Sequence, residues 1–235
     1  MLTFTGIGSA HCPQLGSCCA HFWADGDLVL LDCGEDTFAS PVLRRALARC
    51  RGSVYCFVTH FHSDHVGSLA TLCLYLRQVY GRRVRVCHPQ ASVGSLLGLM
   101  GVLPTEYELR TDFPVYLSNN WSLTPVPTVH VPWMSCYGYL ISAGTQTIYY
   151  SGDAGQIPRT ILNLLFSGGI DRLYQDVSLR ESGGGAHLRL PALCGTISEP
   201  SMRRKICTMH FDSPDYERQI QSEHFLTVNR EIAYD

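Results

Sequence analysis

Three histidines and an aspartate fall within six residues, His60-Phe61-His62-Ser63-Asp64-His65, and side chains of these types at this density are metal ligands. His60 and His62 alternate around one apolar residue, so an extended backbone aims both imidazoles the same way. Asp64 and His65 follow after the chain has begun to turn, and so face a second point a few ångströms away. That arrangement suits a two-metal site, in which a hydroxide is shared between ions roughly 3.5–4 Å apart. A lone histidine at a strand end, such as His88, is read instead as a satisfied structural residue.

The elements that must hold this cluster can be read on either side of it. Residues 54–58, Val-Tyr-Cys-Phe-Val, are apolar or aromatic throughout and predict a strand buried on both faces of a sheet. Gly67 then lets the backbone turn into an apolar helix over residues 68–80. Upstream, residues 1–9 alternate and end in glycines, an edge strand running into a loop. Residues 20–23 and 27–34 predict a hairpin turning at Asp25-Gly26. Residues 37–51 carry leucines and alanines at helical spacing with arginines between them, an amphipathic surface helix. Downstream, residues 84–88 read as a strand closed by Pro89, and residues 91–100 as a short helix. Residues 126–131, 137–142, 147–150, 173–179 and 206–211 are strand-like, and 225–228 weakly so. A short helix is expected within residues 191–205.

The cluster resembles the H-x-H-x-D-H signature of the metallo-β-lactamase superfamily. The resemblance implies a four-layer αββα sandwich, two mixed β-sheets flanked by helices, with a dinuclear site that usually holds zinc, manganese and iron being the alternatives. Given that fold, residues 103–117 are expected to form an extended, surface-lying connection. Gly6-Ile7-Gly8-Ser9-Ala10, followed by Leu30-Leu31-Asp32-Cys33-Gly34-Glu35, is similar to the opening of the ribonuclease Z branch. There Asp32 would lie beneath the metals and orient a ligand, its other reading being a strand-end turn residue. His130, then Cys136-Tyr137-Gly138-Tyr139 and Ser151-Gly152-Asp153, resemble the third and fourth motifs, and His210 at the end of residues 206–211 the fifth. The resemblance thus implies His60, His62 and His130 on one metal, Asp64, His65 and His210 on the other, and Asp153 bridging both.

Catalytic roles fall to Asp64, Asp176 and His187. In ribonuclease-Z-like phosphodiesterases a glutamate orients a histidine that acts near the leaving group. Asp176 and His187, the latter delivered by Gly183-Gly184-Gly185, look like that pair, although the carboxylate is aspartate and Leu188 replaces the usual Ser or Thr. A leaving alkoxide needs a proton, and imidazole is the best donor near neutral pH.

Transfer-RNA-processing members carry a long arm, usually between the third and fourth motifs. Here His130 and Asp153 are only 23 positions apart, which leaves no room for it. The net charge of −2, with a single lysine, Lys205, also argues against a long nucleic acid. The reading is therefore a metal-dependent phosphodiesterase of small or cyclic phosphodiesters, such as a cyclic nucleotide. An RNA-processing nuclease of the ribonuclease Z type and a thioester or lactam hydrolase on the same fold are the alternatives. Asp153 stands where most β-lactamases of this superfamily carry cysteine.

One domain is expected over the 235 residues, since no Pro/Gly/Ser-rich linker divides them. The amino terminus has no signal-peptide pattern and no stretch reaches membrane-spanning length, so a cytoplasmic protein with no membrane partner is expected. The eleven cysteines are then reduced core thiols. His11, Cys12, Cys18, Cys19 and His21 leave a structural metal open. The resemblance also raises a homodimer.

Overall fold

Alternate apolar residues give the strands two faces to bury, and the layers follow from that. The computed structural model describes residues 2–180 and 185–229, so Gly183 and Gly184 of the expected glycine loop lie outside the described residues. One sheet contains, in spatial order, β1 (Thr3–Gly6), β2 (Cys19–Ala24), β3 (Asp27–Leu31), β4 (Val54–Phe57), β5 (Val84–Cys87) and β6 (Tyr107–Arg110). The second contains β7 (Val115–Tyr116), β8 (Trp121–Thr128), β9 (Cys136–Ala143), β10 (Gln146–Tyr150), β11 (Arg172–Asp176), β12 (Ile206–Met209) and β13 (Leu226–Thr227). Each sheet is antiparallel at its start and parallel over its last four strands. Helices α1 (Pro41–Arg49), α2 (Ser63–Val66), α3 (Leu69–Tyr80) and α4 (Ser92–Leu99) accompany the first sheet. Helices α5 (Arg159–Phe166), α6 (Leu190–Thr196), α7 (Pro200–Arg203) and α8 (Tyr216–Ser222) accompany the second.

On β3 and β4, Leu28, Leu30, Val54 and Cys56 pack with Leu43 and Leu47 of α1 and Leu72 of α3. Their neighbours Val29, Leu31, Tyr55 and Phe57 join the core between the sheets. There Phe57 meets Tyr139 edge to face at 5.3 Å, and Phe4 meets Tyr174 at 5.7 Å. Ile161, Leu165, Leu193 and Ile220 bring α5, α6 and α8 into the same core. The αββα sandwich of two mixed sheets is thus the observed fold. The β2–β3 hairpin turns where the sequence predicts, with Asp25 and Gly26 both at positive φ.

Residues 103–117 require a correction. They hold β6 and β7, which end the first sheet and begin the second, rather than an unpaired connection. β6 is an edge strand, stabilised by backbone pairing to β5, and Tyr107 is its one buried residue, so no alternation marks it in the sequence. β8 starts earlier than expected, at Trp121, and ends before His130. It tolerates Pro125 and Pro127 because β7 pairs only with Ser122 and Leu123, leaving the later part of that edge without a ladder to break.

The cysteine-rich loop packs; it does not form a metal group. Among the described residues, no metal-holding group includes His11, Cys12, Cys18, Cys19 or His21. The Cys19 thiol accepts the Gly34 N–H at 3.2 Å, and the Tyr150 hydroxyl donates to the Cys18 carbonyl at 3.2 Å. His21 is buried below α1, and that burial pushes its imidazole down to about 4. The folded chain therefore binds fewer protons than the unfolded one between pH 4 and 6.5, and stability falls as pH drops through that window. A His21→Phe variant should lose about 2 kcal/mol less than the parent between pH 7 and pH 4, measured by denaturant unfolding at each pH.

Candidate active site

Every residue expected at the site except His187, which lies in the loop between β11 and α6, sits at or just beyond the carboxyl end of a strand: Asp32 after β3, His60 to His65 after β4, His130 after β8, Asp153 after β10, Asp176 on β11 and His210 after β12. His62 is extended and caps α2, so the turn that follows sends Asp64 and His65 elsewhere. Asp32 and His210 both have φ in the left-handed region, at 67° and 62°, which non-glycine residues seldom adopt. Gly152 shares that conformation at φ 57°, and a Cβ there would lie 2.8 Å from the Cβ of Thr59.

Two donor sets are formed by the expected ligands, and each can hold one metal ion; a third grouping, Asp153, Asp176, His187 and His210, overlaps the second through Asp153 and His210. In the first, His60 Nε2 lies 2.9 Å from His62 Nδ1, which is 3.2 Å from His130 Nε2. The Asp153 Oδ2 atom stands 3.7 and 3.6 Å from His60 and His130. In the second, His65 Nε2 is 3.4 Å from Asp64 Oδ2 and 3.2 Å from Asp153 Oδ1, and His210 Nε2 is 3.3 Å from each of those oxygens. One oxygen of Asp153 thus turns to each set.

Behind the rings, hydrogen bonds settle which nitrogen faces inward. Asp32 accepts the Thr59 N–H at 2.7 Å and its hydroxyl at 2.8 Å, and stands 2.8 Å from His65 Nδ1. The Thr59 oxygen, its own proton committed to Asp32, accepts from His60 Nδ1 at 3.0 Å. His130 Nδ1 donates to the Ala186 carbonyl at 2.9 Å. The Nε2 atoms of His60, His65 and His130 are thereby turned into their sets, whereas His62 enters through Nδ1. Asp32 is therefore both a strand-end turn residue and the support beneath His65.

The donor chemistry fits divalent cations. His65 Nε2 and Asp153 Oδ1 are buried without any hydrogen bond, although only 3.2 Å apart. Burial opposes charge on His65, yet Asp153 and Asp32 outweigh it and raise its pKa well above the ordinary value. Burial opposes charge on His210 as well, and Asp153 and Asp176 lift it to about 10. So concentrated a set of buried carboxylates demands positive charge nearby.

His187 is brought to the same place. Its Nδ1 lies 2.7 Å from Asp176 Oδ2, which also accepts the Ala154 N–H at 3.0 Å, and its ring stacks on His210 at 5.1 Å. All of this opens into a cavity of about 480 Å³ that His62, Asp64, His130, Asp153, His187 and His210 line. Its outer wall adds residues that the sequence reading passed over, namely Ser178, Arg180, Arg189 and Asp212. Asp212 stands two positions after His210, which was the available signal. Thr59 was also missed, although it directly precedes the histidine cluster.

The family model for anti-Pycsar protein Apyc1 matches residues 1–234. The chain belongs to the anti-Pycsar Apyc1 family. An Apyc1 protein of Saccharibacillus brassicae is 28% identical over 224 residues, covering 89% of each chain. Another, of Bacillus phage 010DV004, is 29% identical over 245 residues, covering 89% of this chain and 88% of its own. Among solved structures, the metallo-β-lactamase fold protein YhfI of Bacillus subtilis superposes with a TM-score of 0.74 at 16% identity, over 98% of this chain and 95% of its own, a likeness of fold. The Apyc1 family degrades cyclic nucleotides, and the chain is a metal-dependent hydrolase acting on phosphodiester bonds.

Proposed function

We propose that the chain opens the phosphodiester ring of a cyclic nucleotide at a dinuclear site made of His60, His62 and His130, then Asp64, His65 and His210, with Asp153 across both. Zinc suits the imidazole-rich donors best, with manganese or iron as alternatives. The observation that carries the reading is the division of the Asp153 carboxylate, one oxygen to each donor set.

Two divalent cations bound there would bring the pKa of a water towards neutrality and neutralise charge on the phosphoryl oxygens. The chain supplies the positioning. Asp32 and Thr59 hold His60 and His65 from below, one ligand of each set. Asp64 and Asp153 place their carboxylates at the cavity floor. His187 donates a hydrogen bond from Nδ1–H to Asp176. Burial opposes charge on the ring, yet the negative charge of Asp176 raises the imidazole pKa and favours the imidazolium, so its Nε2–H faces the cavity and can hand its proton to the departing ribose oxygen.

Purified protein loaded with zinc or manganese should convert 3′,5′-cyclic nucleotides to linear monophosphates. It should leave precursor tRNA, a thioester and a β-lactam intact. Cleavage of one of those three in place of the cyclic nucleotides would overturn the reading. An Asp32→Asn variant should bind metal about 10- to 100-fold more weakly, as measured by competition with a chromogenic chelator.

The same reading places the protein in the cytoplasm, which its free thiols support: all eleven cysteines are unpaired. Among the described residues, no helix is long and apolar enough to cross a membrane. A homodimer is part of the proposal, supported by the exposed apolar residues Leu99 and Leu103 at the end of α4, and sedimentation would test it.

A further inference from the structure

The cavity extends beyond the groups that serve the phosphate, and its outer wall holds an arginine whose backbone is pinned and whose guanidinium lies beside a carboxylate. Ser178 donates its hydroxyl to Asp212 Oδ2 at 2.6 Å, and the Leu179 N–H reaches Asp212 Oδ1 at 3.2 Å. The Arg180 N–H is donated to the Ser178 hydroxyl oxygen at 3.2 Å. Ser178 is itself pinned on its other side, its N–H to the Leu188 carbonyl at 2.9 Å and its carbonyl to the Leu190 N–H at 3.1 Å. The backbone under Arg180 is thus tied both to the segment that follows His210 and to the segment that carries His187. Its guanidinium rests 3.7 Å from Asp212 Oδ2 through Nε, while the side chain stays 52% exposed at the cavity.

A guanidinium paired with a carboxylate in this way presents little net charge. What remains is a flat surface and its Nη donors. That is a poor match for a second phosphate and a good one for a neutral planar ring, on which guanidinium planes stack.

We infer that Arg180, held by Asp212, is the residue that grips the nucleobase of the cyclic nucleotide while its phosphate occupies the metal end of the cavity. The inference rests on the phosphodiesterase reading and adds the base-recognising element to it. Because stacking depends on a plane rather than on a hydrogen-bond pattern, Arg180 contributes affinity for purine and pyrimidine alike.

The test compares 3′,5′-cyclic AMP with 1-O-methylribose 3′,5′-cyclic phosphate, which keeps the ring phosphate and lacks the base. Arg180→Ala should raise KM for cyclic AMP about tenfold with kcat within about twofold of the parent. Its kinetics on the base-free substrate should stay unchanged, which also reports that the variant is folded. Arg180→Gln, retaining a planar amide, should fall between the two. If KM for cyclic AMP is unchanged, or if the base-free substrate suffers equally, Arg180 does not grip the base and the inference is wrong. Parent protein that cleaves neither substrate when loaded with metal overturns the phosphodiesterase reading, and this inference with it.

Discussion

Asp153→Asn should release both metal ions, not one, and reduce cyclic nucleotide hydrolysis by on the order of 10³-fold or more. The reason is geometric. Oδ1 stands within 3.3 Å of His65 and His210 nitrogens, and Oδ2 within 3.7 Å of those of His60 and His130. An amide keeps the size but offers one oxygen and carries no charge, so neither set retains its share of negative charge. His130→Ala, by contrast, removes a donor from the first set alone and should leave about one ion per chain. Elemental analysis of the dialysed variants decides the matter. An Asp153→Asn protein that kept one ion and a substantial fraction of activity would mean that the two sets are independent.

His187→Ala should lower kcat for cyclic nucleotides by about 10²- to 10⁴-fold, the range attributed to a positioned general acid. Its effect should depend on what is leaving. A ribose oxygen departs as a strongly basic alkoxide and needs the proton that His187 Nε2 holds. The p-nitrophenolate of bis(p-nitrophenyl) phosphate departs without one, so the variant should cleave that ester within about tenfold of the parent rate. Metal content should not change, because His187 acts through Asp176 and the cavity. Equal losses on both substrates would rule out proton donation and leave only a role in shaping the site. Asp176→Asn should show the same leaving-group dependence more weakly, since it disturbs the direction of the imidazole and not its presence.

The gathering of the candidate ligands was legible because their sequence is local. His60, His62, Asp64 and His65 are adjacent in the chain, and alternation followed by a turn is enough to send them to two points. His130, Asp153 and His210 are visible only by motif resemblance, since nothing in their own neighbourhoods says where they converge. Asp153 and His210 leave the parallel half of the second sheet and His130 its antiparallel half, and the strand order that brings them together is a long-range property. β6 escaped notice because an edge strand whose side chains are mostly solvated has no pattern to show. The outer wall escaped for a related reason. Ser178, Arg180 and Asp212 are ordinary surface residues until Asp212 is placed beside Ser178 across a sequence gap of 34.

Neither donor set belongs to one half of the chain. His60 and His62 follow a strand of the first sheet, while His130 and Asp153 follow strands of the second; Asp64 and His65 are likewise joined by Asp153 and His210. Each ion would therefore act as a clasp between two half-molecules, closing the sandwich along its open rim. Prising the halves apart would require surrendering both ions, so resistance to heat should rise with free metal concentration and fall on chelation, even with no substrate present.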